Sequence, residues 1–306
     1  MPAKTPKFLS PLAEKMRQDI QLAGLAQRTV DSYLRQVRKF AEYIRRSPDK
    51  ATEADLRRYL LYIKNERNLT PSSINVAYSA IKFFYSKTCE RTWKTLKNLR
   101  VQRELRLPTV INVDEVRTLL NAVRKLSMFV FFTTVYMLGL RLKEAIHLQV
   151  ADIDSKRMLV HVRGGKGAKD RYVPLPSALL PLLRKYWSTH RNPIWIFPSE
   201  GKNHKQASTA TEPVNASSIQ ACIKQVVKQL GWQHRKISTH TLRHCYATHL
   251  CEDGVNLRQI QKYLGHSNIQ STMFYLHLTT CGEEASVAKI NRLMADGWKE
   301  LEDDKK

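Results

Sequence analysis

Apolar residues in the first hundred positions recur at the three- and four-residue spacing of an amphipathic helix. Val30, Tyr33, Leu34, Val37, Ala41 and Ile44 form one stripe, and Leu56, Tyr59, Leu60 and Ile63 a second. Ile74, Ala77, Tyr78, Ile81, Phe84 and Tyr85 form a third, preceded by Thr70-Pro71, a capping side chain with proline in the first turn. The pattern changes after Pro108. Asn112 and Glu115 have the spacing of a capping box and open a helix through Leu119. The run Met128 to Leu140 is apolar on every side, which predicts a buried helix. Two β-rich runs, Met158 to Arg163 and Arg171 to Leu175, flank the turn GGKGAKD and predict a hairpin. From Ser217 to about Met294 the period is helical again, punctuated by Gly231, Gly254 and Gly265; residues 199–216 are polar and predict a loop, and 300–306 a frayed tail. The fold class expected is mainly α with a small β-hairpin or sheet. A helical module spans 8–90, a basic linker without apolar clustering 91–107, an α+β domain 108–282 and a C-terminal helix 283–299.

Charge narrows the class of partner. The 306 residues hold 51 Lys and Arg against 27 Asp and Glu, a formal +24. A surplus of that size points to a polyanion, most commonly nucleic acid. It is uneven: residues 1–107 carry 23 basic and 10 acidic side chains, residues 108–306 carry 28 and 17. Between the apolar stripes of the first third lie Arg28, Arg35, Arg38 and Lys82, with Lys39, Arg45, Arg46, Arg57 and Arg58. One such charge is ordinarily a solvated one, but an excess of one sign across several helices favours phosphate contact. Arg28, Arg35, Arg38 and Lys82 are therefore the expected DNA-binding residues. The 13 residues from Met128 to Leu140 fall short of the roughly 20 that span a bilayer, so no membrane partner is expected. The first residues lack the apolar core of a signal peptide, and the five cysteines are odd in number without a CxxC pair. Both features suit a reducing cytoplasm.

Four short stretches carry chemistry. Gly139-Leu-Arg141-Leu-Lys-Glu144 puts an arginine at the end of the buried run, where an unpaired charge is costly and Glu144 is a partner at i+3. Lys166 sits between glycines in the hairpin turn, with Lys169 nearby. Ser238 to Cys251 opens with a capping residue and places His240 and Arg243 on one helical face. Leu264-Gly265-His266 precedes Ser271-Thr-Met-Phe-Tyr275, on a short helix. Arginine forks bind phosphoryl oxygens bidentately, and a tyrosine hydroxyl becomes a competent nucleophile where cations stabilise its charged form. The combination suits attack on a phosphodiester without a metal. His240, His244, Cys245, His249 and Cys251 also allow a zinc protein or metal-dependent nuclease, though not in a CxxC or HExxH arrangement. A DNA binder without catalysis is a third reading.

The order GLRxxE, GKGxKDRxVPL, HTLRHxxATHL and LGHxxxxxTxxY, with nine residues from His266 to Tyr275, resembles the tyrosine recombinase (phage integrase) family over nearly the whole chain. That resemblance implies a helical core-binding domain and an α+β catalytic domain closing as a C-shaped clamp on duplex DNA. It implies a site-specific recombinase that cuts and rejoins strands without metal, ATP or other cofactor. Arg141 and Arg243 would clamp the scissile phosphate, and Tyr275 would attack it to leave a 3′-phosphotyrosyl bond and a free 5′-hydroxyl. Lys166 would be the general acid, His240 an acid/base near Tyr275, His266 a hydrogen-bond donor to the phosphate, and Glu144 the support of Arg141. The partners implied are double-stranded DNA with paired half-sites and three further copies of the chain in a tetramer, with the 283–299 helix docking on a neighbouring protomer. A bacterial, nucleoid-associated enzyme of Xer or transposon type is expected from the size. Leu138 before GLR, the short interval from Pro176 to Phe197 and the lack of an arm-binding domain before residue 8 depart from other members.

Overall fold

The computed structural model describes residues 10–98, 108–164, 170–201 and 206–276. The chain forms two compact units that divide between Arg106 and Leu107.

The first unit is helical. α1 (Pro11–Leu22), α2 (Gln27–Ile44), α3 (Glu53–Asn65) and α4 (Pro71–Phe83) bury Met16, Phe40, Leu56 and Ile81, the inward positions of the stripes read from the sequence. Local chemistry sets the helix starts. The Thr70 hydroxyl accepts from the Ser73 amide with Pro71 in the first turn, and Thr52 and Asp55 form a reciprocal capping box on α3. Asp55 is buried, and hydrogen bonds from the Thr52 amide and hydroxyl, then from Arg58 at 2.6 Å and Arg46, hold its carboxyl well below the usual range. The expected linker begins too early. α5 (Lys94–Asn98) follows Trp93, whose ring lies 3.9 Å from that of Tyr85, and buries Leu96, whose carbonyl accepts from the Tyr78 hydroxyl at 2.6 Å. Two apolar residues in a basic stretch suffice to dock it, a signal that the charge of 91–107 conceals.

The second unit is built around α7 (Leu126–Leu138), in which Val130, Phe131, Phe132, Val135 and Leu138 are at most 1% exposed. α6 (Val113–Asn121) precedes it with the Asn112–Glu115 capping box in place, and α8 (Leu142–Ile146) follows it. Three antiparallel strands come next: β1 (Ile153–Asp154), β2 (Leu159–Val162) and β3 (Arg171–Pro174), in register Ile153 with Val160 and Val160 with Val173. β1 is a third strand beyond the expected hairpin. α9 (Leu179–Trp187), α10 (Ala216–Gln229), α11 (Thr239–Glu252), α12 (Leu257–Leu264) and α13 (Gln270–Met273) complete the unit, with α9 and α11 packed on α7. No helix among the described residues is long and apolar enough to cross a membrane.

Candidate active site

Two glycines make the backbone of the site. Gly139 ends α7 in the left-handed region (φ +59°), and a Cβ there would collide with the Tyr246 ring. Gly265 ends α12 the same way (φ +62°), and its Cβ would lie 3.0 Å from the Arg171 side chain. Each carbonyl holds one cation of the site: Gly139 O accepts from Arg243 at 2.7 Å and Gly265 O from Arg141 at 3.1 Å. Arg243, on α11, is 2% exposed and also donates to Leu264 O at 2.5 Å. Burial and then Arg141 push its pKa down to about 9, so it remains a cation at neutral pH.

Arg141 caps α8. Its backbone N–H donates to Glu144 at 2.8 Å and its guanidinium at 2.7 Å. Glu144 holds more than that one partner: Arg171 bonds both carboxylate oxygens, at 2.9 and 2.8 Å, and Arg243 lies 3.6 Å away. Burial alone would raise the Glu144 carboxyl, but Arg171 and Arg141 overcome it and hold the pKa at about 2. Arg171 is a site residue that the sequence reading passed over. The strand pattern contained a signal: β3 turns Arg171 and Val173 inward and Tyr172 and Pro174 outward, and an inward arginine needs a buried acid.

Tyr275 follows α13 and is 2% exposed, packed with Ala247, Ile260 and Leu264. Burial raises its pKa while Arg243 and Arg141 pull it down. Its ring stacks on His266 (6.3 Å between centroids, 12° between planes), and His266 Nδ1 is bonded to the Thr272 hydroxyl at 2.9 Å. The Tyr275 hydroxyl lies 3.0 Å from Nδ1 of His244, not of His240. His240 is four residues earlier on α11, its ring 5.0 Å from that of His244 and edge-on to it. His240 is open to solvent on one side, yet the protein crowded around its ring, then Arg243 and Arg141, lower its pKa. Burial, His240 and Arg243 push His244 down to about 4, and burial with Arg243 and Arg141 pushes His266 to about 3. All three imidazoles are thus neutral at pH 7.

Helical phase separates the other residues of the zinc reading. Cys245 is buried and accepts from the Ile111 amide at 3.4 Å, while the two ring nitrogens of His249 meet the Tyr136 hydroxyl at 2.9 Å and Ile111 O at 3.1 Å. Lys166, Lys169 and the 283–299 helix lie outside the described residues. In the first unit Arg28, Arg35, Arg38 and Lys82 are exposed; Arg38 pairs with Glu42 at 3.5 Å, and the Lys82 ammonium lies 5.9 Å from the centre of the Tyr78 ring.

Comparison with known proteins agrees over both units. The phage integrase family matches residues 109–281, and the N-terminal SAM-like domain of phage integrases matches residues 12–95. An integrase/recombinase of Sinorhizobium fredii is 39% identical over 274 residues, covering 89% of this chain and 86% of its own. The tyrosine recombinase XerA of Pyrococcus horikoshii is 28% identical over 273 residues, 89% of this chain and 90% of the relative. Among solved structures, the Tn1549 transposon integrase in complex with transposon right end DNA shares the fold, with a TM-score of 0.71 at 17% identity over 92% of this chain and 99% of that one. So does the XerH site-specific recombinase bound to its difH substrate, with a TM-score of 0.69 at 19% identity over 92% of this chain and 85% of that one.

Proposed function

The chain belongs to the phage integrase family and is a tyrosine-type site-specific recombinase, and we propose that Tyr275 is the nucleophile with which it cuts and rejoins DNA. The Tyr275 oxygen attacks the scissile phosphorus, the bond to the 5′-oxygen breaks, and the strand is left as a 3′-phosphotyrosyl ester beside a free 5′-hydroxyl. Attack by that type of hydroxyl on the ester reverses the step, so rejoining uses the stored ester bond and requires neither ATP nor a metal. Arg141 and Arg243 neutralise the phosphate as charge builds on its oxygens. Among the described residues the bonds of Arg141 to Glu144 and Gly265 use two of its five side-chain donors, which leaves a fork for phosphate. With Nδ1 of His266 bonded to Thr272, Nε2 is the nitrogen turned to a phosphate oxygen. His240, on the open side of the site, takes the proton that the Tyr275 hydroxyl gives up on attack. Lys166 protonates the departing 5′-oxygen.

The observation that carries this reading is the meeting of Tyr275 with the α11 cluster, under two guanidiniums tied to one buried carboxylate. In the same reading the partner is a DNA duplex. Four copies act on paired half-sites in the bacterial nucleoid, linked through residues 283–299.

The test is covalent capture. A pool of centrally nicked duplexes with randomised flanks is incubated with the protein, denatured with detergent and sequenced from the protein-linked fraction. Wild type is expected to retain a related set of duplexes and Tyr275→Phe none. Capture by Tyr275→Phe, or none by wild type, overturns the assignment.

A further inference from the structure

Adjacent positions on α11 hold two different parts of the site. Arg243 is anchored by the carbonyls of Gly139 and Leu264, and His244, the next residue, meets the Tyr275 hydroxyl at 3.0 Å. The direction of that hydrogen bond follows from burial and charge. Tyr275 is 2% exposed, and His244 is the partner of its hydroxyl among the described residues. A buried phenolic O–H without an acceptor is costly, so the hydroxyl donates. Dense protein, His240 and Arg243 around His244 keep its imidazole neutral, and a neutral ring has one bare nitrogen to accept with. The stack on His266 orients the Tyr275 ring but leaves the hydroxyl hydrogen free to rotate. The bond to Nδ1 removes that freedom.

We infer that His244 is a positioning residue for the nucleophile: its Nδ1 accepts from the Tyr275 hydroxyl and so sets that oxygen at a fixed distance from the phosphate held by Arg243. The inference rests on Tyr275 being the nucleophile. Because Arg243 and His244 share one helix, the spacing between the clamp and the acceptor that receives the nucleophile is built into α11. The four-residue step from His240 leaves that histidine on the solvent side, where it can serve the proton transfers while His244 serves the alignment.

Single-turnover adduct formation on a duplex recovered by the covalent capture tests this, with duplex affinity and thermal unfolding measured for each variant. His244→Ala is expected to slow adduct formation about 10- to 100-fold, the range for a misplaced reacting group, with affinity unchanged and unfolding lowered only by the orphaned phenolic hydroxyl. His244→Asn places an amide oxygen near the position of Nδ1 and is expected to restore most of the rate. A His244→Ala rate equal to or above wild type overturns the inference, and so does a well-folded His244→Asn as slow as His244→Ala. Nitrogen-15 histidine spectra of the free protein give a second reading that needs no DNA. Nδ1 of His244 is expected at the shift of a bare acceptor and to move in Tyr275→Phe, whereas a protonated Nδ1 overturns the inference. Failure of the nucleophile assignment is seen separately, as capture by Tyr275→Phe whatever His244 does.

Discussion

Glu144 is a carboxylate with 6% of its side chain exposed, and three guanidiniums surround it. Arg171 does most to hold it, with two hydrogen bonds to the carboxylate and an equally buried side chain. Replacing one member of a buried ion pair leaves its partner charged and undersolvated, which typically costs about 3–5 kcal/mol. Arg141 still contacts Glu144 in Arg171→Met, so the expected loss is at the lower end, about 3 kcal/mol, measured by urea unfolding of the second unit. A loss below about 1 kcal/mol would class the pair with exposed ones and leave Arg171 without a supporting role. The Arg141–Glu144 contact was legible in the sequence because it is local, three residues along one capping turn. Arg171 and His244 were not, since their partners lie 27 and 31 residues away and depend on how strands and helices pack.

Helix ends, more than helix interiors, place the charged groups. α7 stops at Gly139 because φ +59° suits glycine, and the chain then turns so that Arg141 becomes the N-cap of α8. The freed Gly139 carbonyl is one of the two that hold Arg243. Gly139→Ala is therefore expected to act twice. Left-handed backbone costs a non-glycine residue about 1–2 kcal/mol, and the added methyl must also displace Tyr246. Thermal unfolding should show at least that loss, and covalent capture should fall more steeply than stability, because Arg243 shifts with the carbonyl. A variant that is destabilised but captures DNA like wild type would separate the turn from the chemistry. Most of these ends were readable in advance: Asn112 and Ser238 open the helices they were expected to cap, and Gly265 ends one. α5 was not, because its two docking residues are embedded in a basic run.

At the scale of the molecule the +24 has two destinations. Arg141, Arg171 and Arg243 are turned inward on one carboxylate, whereas Arg28, Arg35, Arg38 and Lys82 stand on the outer faces of α2 and α4. If the outer group contacts phosphates, each contact contributes about 0.9 to the slope of log affinity against log salt. Changing all four to Ala should flatten that slope by up to about 3.6 in a duplex-binding titration, with unfolding unchanged. An unaltered slope would return these charges to solvent. The sequence by itself determined the helical stripes, the caps, the excess of positive charge and the identity of Arg141, Glu144, His240, Arg243, His266 and Tyr275 as candidates. All of these are properties of residue type and short spacing. Tertiary structure decided that Arg171 braces Glu144, that His244 and not His240 meets Tyr275, and that Trp93 and Leu96 belong to the first core. Those outcomes depend on which surfaces are buried against each other. Burial turns a nearby charge or hydroxyl into an obligatory hydrogen-bond partner, and no local spacing records it.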